Sequence, residues 1–520
     1  MIENVIPKSE VRFLSVPLNL SETNQLDFAT PDDQTAYFLS KTVKTIENVN
    51  YIKDEDGVGC LKIQANYNEM LIANYIMYKN TFFSNRYFYA YITKIEYCNP
   101  NVTYIYFKQD VFQSWLFNFS IGQSFVERCH TDDDSIGANT YPEGLETGEY
   151  VYKNVNSTAE LLQYAFIIGL SDNLDNGKVT GGIYANIYSG LCYKYFTSAA
   201  RMNLFIDQLA EAGKSDAITI IFTIPKAILP KYEEGAELDE TVDANTLTFN
   251  YTADFTKLDG YTPKNNKLFS YPYNFICASN NKGNTAEYHF ENFQNSNNIT
   301  FKIQGTITPN SIVALIPSNY KKDGLNYDEK LTLDGYPLCS WSNDVFANYI
   351  AQNKNQIKME FISSAVGGVT GLAANIQNPL GAVSSVANTA TNIFSSLAKI
   401  KDYKTLPDHA GGNVDSGDFS ISNDIQQFTV QQATLKYEYA QKIDDYFTMY
   451  GYKMNKIMYV LLRRRLNFDY IKTIGANVKG PTIPNNHLLE LINLFDNGIT
   501  IWHNPNNFLN YKVDNPIRTP

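Results

Sequence analysis

Basic residues are in the minority in this chain. There are 42 Lys and Arg against 54 Asp and Glu, and the formal net charge is −12. A protein that binds nucleic acid tightly usually presents a basic face to the phosphates. The charge balance therefore excludes a typical DNA-binding protein. It still allows a protein that surrounds DNA, because an acidic wall lets the polymer slide past instead of holding it.

Cysteine and histidine are also scarce, with six and five residues. The cysteines have neither CxxC nor zinc-site spacing, which is typical of reduced core thiols. The sequence contains no HExxH and no GxSxG. Cys129 and His130 precede aspartates at 132–134, but adjacent side chains point in different directions, so a solvated turn is favoured over a metal site. We expect no catalytic residue, no cofactor and no metal, and hence no enzyme.

A signal peptide is not expected either, because MIENVIPKSEVRFL lacks a basic start followed by an apolar run. With 520 residues the chain is long enough for several domains. The changes in pattern along it predict four segments, at 1–155, 156–355, 356–410 and 411–520.

Aromatic residues are abundant, with Tyr 38 and Phe 31. Aromatic and β-branched residues favour pleated, half-buried surfaces. The sequence therefore predicts a multidomain α+β protein that is β-rich. Strands are expected at residues 11–16, 37–39, 74–78, 87–97 and 102–107, with a hairpin at Asn99-Pro100-Asn101.

Two helices are predicted from apolar spacing. The first begins after Thr197 or Ser198, ends before Gly213 and is followed by a strand at 217–224 that stops at Pro225. The second carries Leu488, Leu491, Ile492 and Phe495 and is closed by Asn497-Gly498 before a short strand. By composition, HAGGNVDSG at 409–417 is a flexible loop.

The longest anomaly is a stretch without Asp, Glu, Lys or Arg at residues 361–398, which we call the apolar window. Its large apolar residues recur at helical spacing in two halves. Asn378-Pro379 separates the halves, and a residue before proline resists helix, so a bend is expected there. The apolar positions are Phe361, Ile362, Val366, Val369, Leu372, Ile376, Leu380, Val383, Val386, Ile393, Phe394 and Leu397.

Three interpretations of the apolar window remain open on this pattern: a helical hairpin buried in the protein or in an oligomer, a membrane-active loop, or a linker. Each half is too interrupted for a conventional span of roughly 20 apolar residues. Several copies could insert together, because Gly, Ala and Ser faces let helices approach closely. Lysines on both sides could reach lipid head groups; they are Lys354, Lys358, Lys399, Lys401 and Lys404.

Several blocks, in order, carry a resemblance to a known family. They include VPLNLSETNQLDF at 16–28, YIYFKQDVFQSW at 104–115 and SFVERCHTDDDSIGANTYPEGLETGEY at 124–150. Near the end stands YGYKMNKIMYVLLRRRLNFDYIKTIGANVKGPTIP, followed by FDNGITIWH. Over nearly the whole chain the sequence resembles the distal tail-tube, or tail knob, proteins of small short-tailed phages of the Picovirinae or Salasmaviridae type. The family is expected to have V-E-R-E-H where Cys129 replaces the second glutamate, which argues against an essential charge at that position.

The resemblance implies a structural protein of the virion at the distal end of the tail. It implies a homo-hexameric tube with strand-rich wall modules that conducts double-stranded DNA without sequence-specific binding. The apolar window would be a helical loop that plugs the lumen and then enters the host cell membrane. Further expected partners are a proximal tail or collar protein and a wall-degrading enzyme at the tail tip. Assembly would take place in the host cytoplasm.

Two further expectations concern recognition. Arg463-Arg464-Arg465 is predicted on a strand, where it favours salt bridges between subunits over contacts with DNA.

The alternative function is a receptor-binding tail protein that recognises host wall glycan and uses the apolar window only for assembly.

Overall fold

The computed structural model of the chain describes residues 10–49, 51–53, 58–80, 86–171, 183–184, 187–188, 191–212, 214, 217–229, 237–238, 244–294, 298–321, 324–341, 412–415 and 424–518. They fall into two compact units. Unit 1 draws on Met1–Thr147, Tyr261–Leu268 and Tyr437–Pro520, and unit 2 on Gly148–Gly260 and Phe269–Lys436. Each unit is therefore assembled from pieces that are distant in sequence. The four segments proposed from the sequence stay a prediction.

Unit 1 is built mainly from strands and short helices. Its strands are β1 (Glu10–Leu14), β2 (Asn24–Leu26), β3 (Thr42–Glu47), β4 (Tyr51–Lys53), β5 (Val58–Ile63), β6 (Tyr75–Asn80), β7 (Arg86–Asn99), β8 (Val102–Gln109), β9 (Ser120–Ile121), β10 (Gln123–Cys129), β27 (Tyr452–Tyr459), β28 (Phe468–Ile474), β29 (Val478–Lys479) and β30 (Ile499–Trp502). Its helices are α1 (Pro31–Ser40), α2 (Tyr67–Met70), α3 (Val111–Trp115), α5 (Tyr437–Tyr450) and α6 (Asn485–Asn497).

Two larger sheets organise unit 1. One has seven strands in the order β3-β1-β6-β7-β8-β5-β4, and the other has five in the order β2-β30-β28-β10-β27. A two-stranded sheet joins β29 to β9. One core cluster combines Tyr75, Tyr89 and Tyr91 of the larger sheet with Phe468 and Trp502 of the smaller one. Many of the abundant aromatic residues are therefore buried in the core of a β-rich fold.

The predicted hairpin is confirmed. β7 pairs with β8 in antiparallel fashion, and Asn99 lies opposite Val102, which leaves Pro100 and Asn101 as the turn. Two-residue loops are the commonest connections in β-hairpins.

The prediction of a strand at 37–39 is wrong, because these residues belong to α1. Thr30 caps the helix by accepting a hydrogen bond from the Asp33 amide, and Pro31 occupies the first turn. Both are strong helix-start signals. Phe38 is fully buried from the helix, with its ring centroid 4.6 Å from that of Tyr89. Capping and this packing outweigh the β preference of the aromatic run.

The helix predicted near the end of the chain is confirmed. α6 runs to Asn497, and Gly498 ends it with φ of 90° before β30 begins. On α6, Leu491 and Phe495 are fully buried.

α5 explains why 261–268 belongs to unit 1. Asp444 on this helix is buried and accepts hydrogen bonds from the Tyr261 hydroxyl at 2.7 Å and the Lys264 amide at 2.8 Å. The Asn265 side chain also donates to Asp444, at 2.8 Å. One carboxylate therefore fixes the inserted segment.

In the described part of unit 2, strands predominate among the regular elements. These are β11 (Tyr150–Ser157), β12 (Tyr164–Leu170), β13 (Ile183–Tyr184), β14 (Ile187–Tyr188), β15 (Cys192–Phe196), β16 (Ile218–Pro225), β17 (Glu237–Leu238), β18 (Leu247–Thr252), β19 (Asn274–Ser279), β20 (Thr285–Tyr288), β21 (Asn298–Gly305), β22 (Val313–Pro317), β23 (Leu331–Leu333), β24 (Leu338–Trp341), β25 (Gly412–Asp415) and β26 (Thr429–Leu435). The helix α4 spans Ala199–Glu211.

The sheets of unit 2 have the orders β17-β15-β12-β16-β24-β25, β11-β26-β19-β20, β18-β21-β22-β23 and β13-β14. The predicted helix-then-strand unit is confirmed: Ser198 is the N-cap of α4, and β16 ends at Pro225. Gly213 lies outside the described residues. α4 packs Met202 and Leu209 against the sheet, next to Ile168. None of the helices in the described part of the chain has the length and apolar character needed to cross a bilayer.

Candidate functional site

The apolar window, residues 361–398, lies outside the described residues, as do its apolar positions from Phe361 to Leu397, the bend at Asn378 and Pro379, and the lysines at 354, 358, 399, 401 and 404. The structure does define the two strands that flank it, since β24 ends at Trp341 and β25 begins at Gly412. These two strands, β24 and β25, form what we call the window base.

The strands of the window base pair with each other. β24 and β25 are antiparallel, with Leu338 opposite Asp415 and Trp341 opposite Gly412. Neighbouring strands lie about 4.8 Å apart. The two described strands that flank the segment 342–411 therefore lie next to each other in one sheet.

The prediction of a flexible loop at 409–417 is wrong for 412–415, which form β25. A strand can form there despite the small, polar residues, because the ladder hydrogen bonds use only the backbone. The rest of that stretch lies outside the described residues.

The window base is attached to the core of unit 2 through β16. Ile220 lies opposite Ser340, and Phe222 lies opposite Leu338. Thr223 donates to the Pro337 carbonyl through its amide at 2.9 Å and its hydroxyl at 3.1 Å. Phe222 is buried in the main core cluster of the unit. Movement of the base would therefore disturb a packed core.

A second connection lies beyond the base. The Gln426 side chain is fully buried and donates to the Asp334 carbonyl at 2.7 Å. Two residues later the Phe428 amide donates to the Thr158 hydroxyl at 2.9 Å. These bonds and the pairing of β24 with β25 therefore hold the chain on both sides of the segment 342–411 close together, so the folded unit pays the entropy of bringing these two ends together.

A buried ion cluster in unit 1 was not found from the sequence. Glu143 forms ion pairs with Arg128 and with Lys267, and its side chain is 1% exposed. It also accepts a hydrogen bond from the Lys453 amide at 2.9 Å, while Arg128 donates to the Gly451 carbonyl at 2.7 Å. Burial lowers the pKa of Lys267, opposed by its attraction to Glu143. The cluster joins β10, β27 and the segment 261–268.

The same cluster gives one sequence block a physical role. Arg128 and Glu143 both belong to the block at 124–150, and the structure brings them together. Their opposite charges within one block were the available signal. Lys267 could not have been assigned to them, because it lies 124 residues from Glu143.

The residues around Cys129 have separate partners. His130 is buried, accepts from the Tyr470 amide at 2.8 Å through Nδ1, and lies 3.1 Å from the Thr448 carbonyl through Nε2. Burial lowers the pKa of His130 to about 4. Burial raises the pKa of the Cys129 thiol to about 11, so it is not an activated nucleophile.

The three neighbouring aspartates, at 132–134, also bind different partners. Asp132 pairs with Arg464, Asp133 accepts from Ser135, and Asp134 accepts from the Tyr452 hydroxyl. Within the described ranges no three His, Cys, Asp or Glu side chains converge as a metal site would require.

The prediction that the arginine run lies on a strand is wrong. Residues 463–465 lie in the connection between β27 and β28. Arg463 pairs with Asp27 at 2.5 Å and Arg464 with Asp132 at 3.0 Å, both within one chain. Arg465 is buried beside the C-terminal segment, where it bridges to Ile517. Aspartates of the same chain, which are distant in sequence, therefore pair with Arg463 and Arg464, whose charges were expected to face another subunit.

His503 completes this charged region of unit 1. Its Nδ1 lies 3.0 Å from Asp27, and its Nε2 lies 3.0 Å from Asp469. Both nitrogens can donate at once only when the ring is protonated. Burial alone would lower the pKa of His503, but the hydrogen bonds to Asp27 and Asp469 outweigh it and raise the pKa.

Comparison with known proteins gives a consistent result. Residues 240–516 match the family model described as "Bacillus phage phi29, Tail knob protein gp9, C-terminal domain", and residues 7–120 match "Caudoviral major tail protein N-terminus". The tail knob protein gp9 of Bacillus phage PZA is 26% identical over 597 aligned residues, which cover 98% of this chain and 99% of the relative. The protein of the same name from Bacillus phage phi29 is also 26% identical, with the same coverage.

A solved structure agrees in fold. The bacteriophage C1 tail knob protein gp12 matches with a TM-score of 0.65 at 17% identity. The match covers 98% of this chain and 100% of that one.

Proposed function

This chain belongs to the phi29 tail knob protein gp9 family, and from that premise we propose that it forms the distal tube of a short phage tail as a homo-hexamer. The tube conducts double-stranded DNA, and the apolar window first closes its lumen and then enters the host membrane. The β-rich fold, which is shared with a solved tail knob protein, supports a wall-forming role.

The observation that carries the proposal is the pairing of β24 with β25 at the window base. A charge-free segment that lies in the chain between two paired strands of one sheet can exchange its surroundings without breaking the sheet. In the resting tube, the windows of neighbouring copies bury one another. On contact with the cell, the bilayer takes over as their apolar environment, so both states bury similar surface.

Insertion depends on several copies acting together. A large apolar residue gains only about 0.3–0.6 kcal/mol at the bilayer centre, so the few such residues of one half leave a single chain marginal. The small residues between them allow close helix packing, which a ring of copies can exploit. Lysines on both sides of the window would reach the head groups.

Passage of DNA is supported by the charge of the chain. A net charge of −12 opposes tight binding of phosphates to the wall. DNA is therefore a passing partner without sequence-specific contacts. The other proposed partners are a proximal tail or collar protein and a wall-degrading enzyme at the tip, in a virion assembled in the host cytoplasm.

Dye release from liposomes tests the role of the window. We expect release by the full chain and none when residues 361–398 are replaced by a Gly-Ser linker of equal length. Val386→Asp should lower release at least about tenfold, because a carboxylate near the centre of a membrane helix costs about 2.5–3.5 kcal/mol. Val386→Leu is the matched control, since it keeps an apolar side chain at the same position and should release dye like the unchanged chain.

Full release by the linker variant would remove the window from the mechanism. Saturable binding to host wall glycan without any release would favour the receptor-binding alternative.

A further inference from the structure

One four-stranded sheet of unit 2, with the order β11-β26-β19-β20, has two different faces. Ile276 lies opposite Tyr288, and both are fully buried in the main core cluster of the unit. Directly opposed residues point to the same face of a sheet, and successive residues point to opposite faces. The other face therefore carries Cys277, which lies opposite both Glu287 and Gln431. An antiparallel sheet commonly turns such a face to water.

Tyrosines are grouped on this second face. On the outer strand β11, Tyr152 is 52% exposed and lies opposite Ala433, which in turn lies opposite Phe275. Tyr271 is 36% exposed. The Phe275 ring meets the rings of Tyr150 and Tyr271 edge-on, at 5.4 and 5.5 Å between centroids. Phe275 itself is buried, so it forms a floor beneath tyrosines that stay partly open to solvent.

Tyr271 is held in place although it is exposed. Its ring stacks on that of His289, with centroids 3.7 Å apart and an interplanar angle of 15°. Its amide donates to both carboxylate oxygens of Glu291 at 3.3 Å. The Tyr150 hydroxyl donates to the carbonyl of the next residue, Pro272, at 3.0 Å. A side chain that is ordered before its ligand arrives loses little entropy on binding.

Glu287 supplies a charge to this face. It is exposed, and none of the ion pairs in the described part of unit 2 includes it. Burial and then the charge of Glu287 raise the pKa of Tyr271. Burial, Cys277 and Glu287 raise the pKa of Tyr152. Both hydroxyls therefore lie near one carboxylate that has no cationic partner among the described residues. Gln431, in the same row of the sheet, adds an amide that both donates and accepts.

We infer that this face, which we call the tyrosine face (Tyr150, Tyr152, Tyr271, Glu287 and Gln431), binds a neutral saccharide. The C–H faces of a sugar ring pack against aromatic side chains, and its neighbouring hydroxyls donate to a carboxylate and exchange hydrogen bonds with an amide. Small-molecule sites combine aromatic side chains with a few polar groups that fix the orientation of the ligand. Tyrosine provides such contact at a low cost in conformational entropy.

Other classes of ligand fit the tyrosine face less well. A polyanion would meet Glu287 on a chain of net charge −12. A metal ion would find no three converging His, Cys, Asp or Glu side chains within the described ranges. A simple amine would depend on one exposed carboxylate, and exposed ion pairs contribute little. An extended peptide adds to the edge of a sheet, whereas these side chains lie on its face.

Binding of neutral tetrasaccharides to the full chain tests the inference. The probes are the tetrasaccharides of glucose, galactose, rhamnose and N-acetylglucosamine, and isothermal titration calorimetry measures the affinity. We expect saturable binding of at least one probe with a Kd of about 1 mM or below. Glu287→Ala should weaken this binding at least about tenfold, because hydrogen bonds to a charged group are the stronger ones. Tyr152→Ala should weaken it at least about threefold, because the ring contact is lost.

Two variants serve as controls. Tyr97→Ala should bind like the unchanged chain, because Tyr97 is 57% exposed but belongs to unit 1. Tyr152→Phe keeps the ring and should lose less affinity than Tyr152→Ala. Thermal unfolding should be the same for Tyr152→Ala, Glu287→Ala and the unchanged chain, since both side chains are exposed.

The absence of saturable binding by all four probes would overturn the inference. Unchanged binding by both Glu287→Ala and Tyr152→Ala would overturn it too. Binding of polyglycerol phosphate but of no neutral probe would assign the face to an anionic polymer, which also contradicts it. The inference does not rest on the proposed tube: dye release and ring assembly should stay unchanged in both variants, so its failure leaves the proposed function standing.

Discussion

Glu143 holds two cations in a place that water hardly reaches, since its side chain and that of Lys267 are 1% and 3% exposed. Removing one partner from a buried ion cluster leaves uncompensated charge and costs about 3–5 kcal/mol. A partly exposed pair is worth only about 0–1 kcal/mol. Lys472 and Glu127 form such a pair on the same sheet, with side chains 34% and 32% exposed.

Glu143→Gln should therefore lower the free energy of unfolding by about 3 kcal/mol or more, because Arg128 and Lys267 lose their shared counter-charge. Urea denaturation measures this. Glu127→Gln is the control on the neighbouring exposed pair and should change the value by less than about 1 kcal/mol. Equal losses in the two variants would contradict the role assigned to Glu143.

Two histidines should make stability depend on pH in opposite directions. The folded pKa of His503 is raised by Asp27 and Asp469, so its contribution is complete below the unfolded pKa of about 6.5 and is lost as pH rises through the folded pKa. The folded pKa of His130 is lowered by burial to about 4, so its contribution is lost as pH falls from about 6.5 towards that value.

Thermal unfolding across pH should then show a maximum near neutral pH, with a decline on each side. His503→Gln should flatten the decline on the alkaline side. The acid side should remain, because His130 is unchanged. A variant with the same alkaline decline as the unchanged chain would show that His503 is not its cause.

At the scale of elements, the sequence predicts those whose signals are local. The β7–β8 hairpin, α4 followed by β16, and α6 closed by Gly498 were all found from periodicity and turn residues. α1 is not predicted from the aromatic run at 37–39, which favours a strand, because the signals that start the helix lie earlier, at Thr30 and Pro31. The strand β25 is not predicted, because its small, polar residues give no strand signal. Its pairing partner β24 precedes the window in sequence, so the pairing is not visible in the local pattern either.

The turn between α5 and β27 offers a test at this scale. Gly451 has φ of 64°, and a Cβ there would overlap the Cys129 carbonyl group. Gly475 has φ of 66° with open space around it. Gly451→Ala should destabilise the protein by several times the roughly 1 kcal/mol expected for Gly475→Ala, as measured by denaturation. Equal effects would mean that the close approach at Gly451 is not required.

At the scale of the whole molecule, sequence blocks identified the family, but they could not show how distant pieces combine. β10 lies between β27 and β28, more than 300 residues away, and only the fold reveals that. The Arg128–Glu143–Lys267 cluster depends on this arrangement. The residues of the window could be proposed from charge and spacing alone, whereas the paired strands at its base could not.

Electron microscopy of the purified full-length protein tests the central claim most directly. We expect rings or short tubes of six copies with an open channel when the window is replaced by the Gly-Ser linker, and with a filled channel in the unchanged chain. Single particles without a channel in both samples, at every concentration, would contradict the account.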